Sequence, residues 1–218
     1  MITPLFPLPN VVLFPKTPMP LYVFEERYRA MVREALAGNR ELVIALLRGE
    51  AESGYPGVTA VHDIACLGKI ETYEELKDGK YNIVVVGVHR VRILREVQHS
   101  PYRLVEVEKI EEVPCDEKAA EIIDRHNQMG SLFARFTELA TGVKQQALDL
   151  MPQLDFESLV NMVAMTLNLA TEQKQALLEI SDAAQRCDML IPVLQQQLDT
   201  LIIVRRFEHI KPENPHLN

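Results

Sequence analysis

The spacing of apolar residues changes once along this chain, and that change constrains the fold more than any other feature. As far as Val113-Pro114, apolar residues form short runs or alternate with polar ones, which is typical of β-strands. After Pro114 they recur every three to four residues, which is typical of amphipathic helices. The sequence of 218 residues therefore predicts an α+β protein with a β-rich domain over 1–113 and a helical bundle over 114–207. The segment 208–218 contains two prolines and little that could be buried, so it is predicted to be disordered.

The first half contains several strand signals and one helix. Prolines bound short apolar runs at Val11–Phe14 and Leu21–Phe24, and each run predicts a strand. Asp78-Gly79 connects an extended segment to the apolar run Tyr81–Val86, which is the strongest hairpin signal in the chain. Helical spacing follows Phe24, and Gly38 is predicted as a left-handed C-cap. About six strands with one helix favour a closed barrel over an open sheet.

Capping residues divide the second half into four predicted helices. The first carries an apolar stripe from Ile122 to Ala140. Asp155, Thr171 and Ser181 are predicted to cap the second, third and fourth. Pro192 lies inside the fourth helix and removes one backbone hydrogen bond, so a kink or a restart is expected there.

Composition narrows the choice of partner and compartment. A net charge of −8 opposes phosphate binding and argues against nucleic acid. Cys66, Cys115 and Cys187 are far apart without a CxxC pair, so reduced thiols are expected rather than a zinc site or disulfides. The N-terminus lacks the features of a secretory signal, and no apolar run approaches the ~18 residues of a membrane span. The sequence therefore predicts a cytoplasmic protein that does not enter a membrane.

The common catalytic and cofactor motifs are absent from the sequence. The two Gly-Lys pairs, Gly68-Lys69 and Gly79-Lys80, lack both the preceding glycine and the following Ser or Thr of a phosphate-binding loop. No histidine pair has the spacing of a zinc helix, and no serine lies in a Gly-x-Ser-x-Gly turn. We predict no catalytic, metal or cofactor residue, although a triad assembled across the fold stays open at this stage.

Arg90, Arg92 and Arg95 allow two interpretations. The three arginines could form a basic groove for an anionic ligand. Their alternation with Val91 and Ile93 favours the simpler interpretation, in which the arginines occupy the solvated face of a strand.

Three segments resemble a known family. Pro7–Pro15, followed by Met19–Leu21, resembles the opening of the N-terminal domain of the Lon protease family. Gly87–Ile93 resembles the Gly-x-x-Arg-x-Arg-Ile hairpin of that family, and Leu177–Asp182 resembles the segment after its β unit. The resemblance extends over about Pro4–Arg206 and includes no catalytic residue.

This resemblance implies a PUA-like pseudo-barrel with one packed helix, followed by an all-α helical bundle. It also implies a non-catalytic module that binds exposed apolar segments of unfolded or flexible polypeptides, alone or as an adaptor for another protease or a chaperone. We do not carry over the family's ATPase and peptidase, since 218 residues leave no room for them. The oligomeric state is not predicted.

Two sets of contacts follow from these hypotheses. In the proline-rich segment Phe14–Tyr22, the candidate peptide contacts are Pro15, Met19 and Tyr22. The alternative is a PUA-like binder of RNA or an anionic small ligand, with Arg90, Arg92 and Arg95 as contacts.

Overall fold

The computed structural model describes residues 1–52, 58–142 and 154–207, and the side chains of all of these except 50–52. The chain divides into two compact units. The strand unit comprises Met1–Val113 and Ala164–Ser181, and the helical unit comprises Pro114–Val163 and Asp182–Asn218. The first boundary between the units, at Val113-Pro114, lies where the sequence predicts it. The sequence predicts one boundary only, whereas in the structure Ala164–Ser181 returns to the strand unit. The predicted tail lies outside the described residues.

The described residues form seven strands and five helices. In chain order these are β1 (Ile2–Leu8), β2 (Pro18–Val23), α1 (Glu26–Ala37), β3 (Glu41–Glu52), β4 (Thr59–Val61), β5 (Ile64–Glu75), β6 (Tyr81–Gln98), β7 (Arg103–Lys109), α2 (Ala120–Thr141), α3 (Phe156–Thr166), α4 (Thr171–Glu179) and α5 (Ala183–Phe207).

Strand pairing closes the sheet of the strand unit on itself. The order is β1-β7-β6-β5-β3, and β1 pairs with β3 as well. The β1–β3 pair is parallel, with Leu5 opposite Val43, and the other pairs of the ring are antiparallel. β4 extends the sheet beside β3, and β2 pairs with the first half of β6. Closure removes the open edges from the paired part of each strand, in agreement with the closed sheet predicted.

An apolar cluster fills the interior of this ring. Every strand of the ring contributes to it, and its members recur at alternate positions, so they share one face of the sheet. Its buried residues are Leu5, Val43, Ala45, Val61, Ala65, Leu67, Val91, Val105 and Val107.

α1 packs against a second apolar cluster on the other face of the strands. Tyr28, Met31, Val32 and Ala35 are buried and lie on one side of the helix, as their spacing predicts. The ring of Tyr28 lies 4.6 Å from that of Phe6 between centroids. The helix is therefore fixed to the sheet by one apolar stripe.

The end of α1 differs from the prediction of a left-handed Gly38. Gly38 has φ −108°, and the left-handed residue is Arg40, with φ 65°. The amides of both residues donate to the Ala35 carbonyl oxygen, at 3.1 and 2.9 Å. The left-handed residue that ends the helix therefore lies two positions after the glycine that the sequence predicts.

Three predictions about the strands have different outcomes. Asp78-Gly79 forms the β5–β6 hairpin turn as predicted, with Gly79 at φ 75°. The predicted strand at Leu21–Phe24 is also confirmed, as the later part of β2. The predicted strand at Val11–Phe14 is wrong, because this segment is irregular and its burial comes from packing rather than from a ladder.

Polar contacts hold α4 in the strand unit. The Gln175 side-chain amide donates to the Ile64 carbonyl oxygen at 2.9 Å, and the Arg90 guanidinium donates to that of Leu178 at 3.1 Å. Gln175 and Arg90 are both buried. Apolar spacing predicts a buried helix face but not the surface that it meets, which is why α4 was assigned to the helical half.

The predicted helix starts are accurate to within about one residue. Asp155 caps α3 as predicted, because its Oδ1 accepts a hydrogen bond from the Ser158 amide at 2.8 Å. Thr171 is the first residue of α4 rather than its cap. Asp182 caps α5 in place of Ser181, since Asp182 Oδ1 accepts from the amide two residues on.

α5 continues through Pro192, so the expected restart does not occur. Among the described helices, α5 alone is long and apolar enough to cross a membrane. The Leu190, Leu194 and Leu198 side chains of α5 are buried, but only 22% of its most apolar 18-residue window is buried. The sequence predicts no membrane span because it contains no uninterrupted apolar run of sufficient length, and in α5 the polar residues Gln195–Gln197 interrupt the apolar sequence.

Candidate functional site

A groove of about 470 Å³ crosses the three-stranded part of the sheet formed by β2, β6 and β5. We call it the sheet groove. It is lined by Pro20, Leu21, Tyr22, Thr72, Tyr73, Glu74, Asn82, Ile83 and Val84.

Strand register places the groove residues in rows. Pro20 of β2 lies opposite Val84 of β6, which lies opposite Thr72 of β5. Two residues along each strand, a second row runs from Tyr22 through Asn82 to Glu74. Because alternate residues share one face of a sheet, these rows form a single solvent-facing surface.

Exposed aromatic rings mark this surface. Tyr22 is 53% and Phe24 57% exposed. Tyr73 is 49% exposed but lies opposite the buried Ile83, so its ring projects from the other face of the sheet. The rings of Tyr22 and Phe24 lie 5.9 Å apart between centroids, so Phe24 extends the aromatic surface past the end of β2. The Arg40 guanidinium lies 5.9 Å from the centre of the Tyr73 ring. The adjacent exposed rings of Tyr22 and Phe24 give the groove face an apolar surface typical of an interaction site.

Polar contacts brace the strands at one end of the groove. The Asn82 side-chain amide donates to the Glu74 carboxylate at 3.0 Å. In the hairpin turn, the Lys80 ammonium lies 2.6 Å from the Asp78 carboxylate. The hydrogen bond from Lys80 lowers the pKa of Asp78, and the same contact, with a smaller contribution from the Tyr22 hydroxyl, raises the pKa of Lys80.

Of the three predicted peptide contacts, only Tyr22 is exposed. Pro15 is buried because the turn at Phe14 crosses directly over Gly87, where the Lys16 amide donates to the Gly87 carbonyl oxygen at 2.8 Å. Met19 is 3% exposed and belongs to the cluster beneath α1. As placed, neither Pro15 nor Met19 is accessible to a ligand.

The structure separates the three candidate arginines. Arg90 is 1% exposed, and its Nε donates to the Glu112 carboxylate at 2.6 Å. The simpler interpretation placed all three on a solvated face, and Arg90 departs from it because α4 covers that part of β6.

Arg92 and Arg95 are both exposed, and each faces a glutamate of β7. Arg92 lies 3.6 Å from Glu108, and Arg95 donates to Glu106 at 2.6 Å. Val91 is buried inside the ring and Ile93 packs against the same cluster. The three guanidinium groups do not converge on one surface, which is unfavourable for a shared anion site.

Neither the cysteines nor any group of metal-ligating side chains forms a chemical centre in the described ranges. Burial raises the pKa of the Cys66 thiol, and that of Cys187 to about 12, which disfavours the reactive thiolate. Cys115 is exposed, and its pKa is raised by partial burial and by nearby carboxylates. Over residues 1–52, 58–142 and 154–207, no three His, Cys, Asp or Glu side chains are grouped as a metal site.

A second cavity, of about 200 Å³, lies in the helical unit beside His126 and Glu117. His126 Nε2 lies 3.0 Å from the Leu154 carbonyl oxygen, and the Glu117 carboxylate accepts from the Phe156 amide at 3.2 Å. Neither side chain faces a nucleophile, because the residues lining this cavity include no Ser, Thr or Cys.

Comparison with known proteins identifies the family. The family model of the ATP-dependent protease La (LON) substrate-binding domain matches residues 2–196. The chain belongs to the Lon substrate-binding domain family. The recognition made from three short segments is therefore confirmed.

Individual Lon relatives match nearly the whole chain. Lon protease of Trichlorobacter lovleyi is 25% identical over 97% of this chain and 26% of its own length. The Lon N-terminal domain from the Mycobacterium avium complex superimposes with a TM-score of 0.67, at 21% identity, over 91% of this chain and 98% of that one. The Xanthomonas campestris Lon N-terminal domain protein gives 0.64, at 25% identity, over 88% and 98%. The chain thus has the Lon N-terminal domain fold and spans about a quarter of the curated relatives.

Sequence reasoning missed two aromatic residues of this Lon-type domain. Phe24 was assigned to a strand without a role, and Tyr73 received no assignment. Tyr73 lies between Glu71 and Glu74 in a run of exposed residues, and an aromatic side chain in such a run is a readable signal of exposure.

Proposed function

We propose that this chain is a non-catalytic recognition module that binds exposed apolar segments of polypeptides in the sheet groove. The observation that carries the proposal is the exposed aromatic pair of Tyr22 and Phe24 beside a groove of about 470 Å³. Family membership supports it, since the matching family model describes a substrate-binding domain.

The groove is suited to weak and broadly selective binding. Burying the exposed half of one aromatic ring contributes about 1–2 kcal/mol. Association costs roughly 4 kcal/mol or more in lost freedom of motion. The two rings on the groove face with a few backbone contacts therefore leave only a small net free energy of binding, which corresponds to weak association suited to sampling many unfolded segments.

We also propose that the ring of strands is a PUA-like barrel and that the helical unit is a bundle. The closed order of the strands and the buried apolar stripes of the helices support this assignment. We further propose that the chain acts in the cytoplasm as an adaptor for a protease or a chaperone, and its similarity to the Lon substrate-binding domain supports this role.

A titration with an unfolded polypeptide tests the proposal. A reduced and carboxymethylated globular protein carrying a fluorescent label serves as the probe, and fluorescence anisotropy reports binding. We expect saturable binding that persists at high salt, because apolar burial supplies most of the binding free energy. The absence of binding at high micromolar concentrations would count against the proposal.

A matched pair of variants locates the site. The double substitution Tyr22→Ser with Phe24→Ser removes two rings at the groove and should weaken binding about tenfold or more. Leu94→Ser removes an apolar side chain of similar exposure, 52%, from β6 outside the groove, and should leave binding unchanged. Equal effects of the two changes would exclude the groove as the site.

The anion-binding alternative gives a different result in the same titration. Binding of an RNA oligonucleotide through phosphates would fall steeply with ionic strength. The glutamates opposite Arg92 and Arg95 disfavour this outcome. Salt-sensitive RNA binding that Arg92→Ala abolishes would establish the alternative in place of peptide binding.

A further inference from the structure

One stretch of β5 has an open edge beside the sheet groove. The ladder between β5 and β3 ends at Lys69, and the Ile70 amide donates to the Arg40 carbonyl oxygen at 2.9 Å. From Glu71 to Glu75 the strand pairs with β6 only, and within the described part of the chain no strand lies on its other side. All five residues are exposed. We call this stretch the β5 edge.

The opposite side of the same three-stranded sheet is closed to strand addition by its sequence. β2 is the outer strand there, and Pro18 and Pro20 give it two positions without an amide hydrogen. The β5 edge contains no proline, so all five of its residues keep a backbone donor and an acceptor. Of the two edges, only that of β5 is equipped to pair with a further strand.

The β5 edge is continuous with the groove and is acidic. Thr72, Tyr73 and Glu74 line the groove, so a strand added here would lie directly beside it. Glu71, Glu74 and Glu75 give the edge three carboxylates. Charged edges repel copies of themselves, which protects this sheet from self-association. The same charges favour a partner strand that carries Lys or Arg.

We propose that the β5 edge binds an extended polypeptide segment by strand addition, and that the preferred segment alternates apolar with basic side chains. This inference rests on the proposed function and names its binding mode and substrate class. Backbone hydrogen bonds to Glu71–Glu75 hold the segment. Its apolar side chains reach the groove, and its basic side chains meet Glu71 and Glu75, the edge glutamates outside the groove rows.

Peptides with selectively blocked backbones test the mode. Five residues of edge extend about 17 Å, so a nine-residue labelled peptide of alternating Val and Lys is long enough to cover it. Two derivatives carry N-methyl groups on three amides, one at odd and one at even positions. In an added strand only one set of amides faces β5, so one derivative should bind about tenfold or more weakly and the other like the parent. Equal affinity of all three peptides would overturn strand addition.

Charge reversal tests the substrate class in the full chain. The double variant Glu71→Lys with Glu75→Lys should weaken binding of the Val-Lys peptide about tenfold and strengthen binding of a Val-Glu peptide. Glu111→Lys is the control, because Glu111 is 80% exposed on the same unit but away from the edge. A far-ultraviolet circular dichroism spectrum and melting curve confirm that each variant is folded.

The outcomes separate this inference from the function on which it rests. If neither the unfolded polypeptide nor the parent peptide binds, the proposed function itself fails. If both bind but the two N-methylated peptides bind alike, the groove acts by side-chain contacts alone and strand addition is refuted. If the double variant and the control bind the Val-Lys peptide with the same affinity, the basic preference is refuted.

Discussion

β6 runs for 18 residues, and its two halves face different surroundings. The first half, Tyr81–Val86, pairs with β2 and contributes Asn82 and Val84 to the exposed groove. The second half, beginning at Val91, pairs with β7 and closes the ring. Its outward arginines each face a glutamate on the neighbouring strand.

The difference shows how one strand can provide both a scaffold and a binding surface. Charges paired across neighbouring strands are already satisfied and gain little from a ligand. Exposed aromatic and aliphatic groups stay in contact with water until a partner covers them. The groove end of β6 should therefore govern binding, and the ring end should govern stability.

The largest effect on stability is expected at Arg90, which directly precedes the ring half. Arg90→Ala removes a buried guanidinium that joins Glu112 to the Leu178 carbonyl oxygen, and should lower the free energy of unfolding by about 3–5 kcal/mol. Arg92→Ala removes an exposed pair and should cost about 1 kcal/mol or less. Urea unfolding measures both values, and similar losses would contradict the assignment of Arg90 as an anchor.

Gly87, between the two halves, is the next test. A Cβ atom at this position would lie 2.1 Å from the Phe14 carbonyl oxygen, a backbone atom that cannot move aside easily. Gly87→Ala should therefore destabilise the protein by about 1–3 kcal/mol. Gly130→Ala, inside α2, is the control, because a Cβ there would meet only Leu159, at 3.8 Å. This substitution should raise the free energy of unfolding by about 0.5–1 kcal/mol. If Gly87→Ala leaves the thermal unfolding temperature unchanged, the contact between the Phe14 backbone and Gly87 is not tightly packed.

The sequence was sufficient for features that depend on near neighbours along the chain. The Asp78-Gly79 turn requires a left-handed residue that glycine adopts easily, and Asp155 bonds an amide three residues away. The change of spacing at Pro114 likewise marks the first boundary between the units.

Features set by distant residues were not predictable in the same way. The burial of Pro15 depends on Gly87 and that of Arg90 on α4, both far away in sequence. Periodicity identifies the buried face of α4 but not its partner, so the return of this helix to the strand unit was missed. The groove was found only in part, because exposure of Phe24 and Tyr73 depends on which strands become neighbours.

Substitutions in the groove half of β6 and beside it should affect binding more than stability, the reverse of what is expected for Arg90. Tyr22→Ser with Phe24→Ser should change the free energy of unfolding by only about 1 kcal/mol, since both side chains are more than half exposed. Polypeptide binding should nevertheless fall. Arg90→Ala should instead retain the affinity of the molecules that remain folded. Urea unfolding and the polypeptide titration, applied to both variants, test this contrast. If each variant lost both stability and affinity, the two halves of β6 would not have separate roles.

The smallest effect lies in the turn that starts the groove half. Lys80 lowers the pKa of Asp78 below its ordinary value of 3.8 in the folded protein. The stabilising contribution of this contact is therefore fully present above pH 3.8 and is lost as the pH falls through the lower folded-state pKa. A carboxyl-detected NMR titration should place the Asp78 midpoint below 3.8, and Lys80→Met should return it toward that value. Lys77→Met removes a neighbouring charge and should leave the midpoint unchanged. If both substitutions move it equally, the general field of the hairpin, rather than the 2.6 Å contact, sets this pKa.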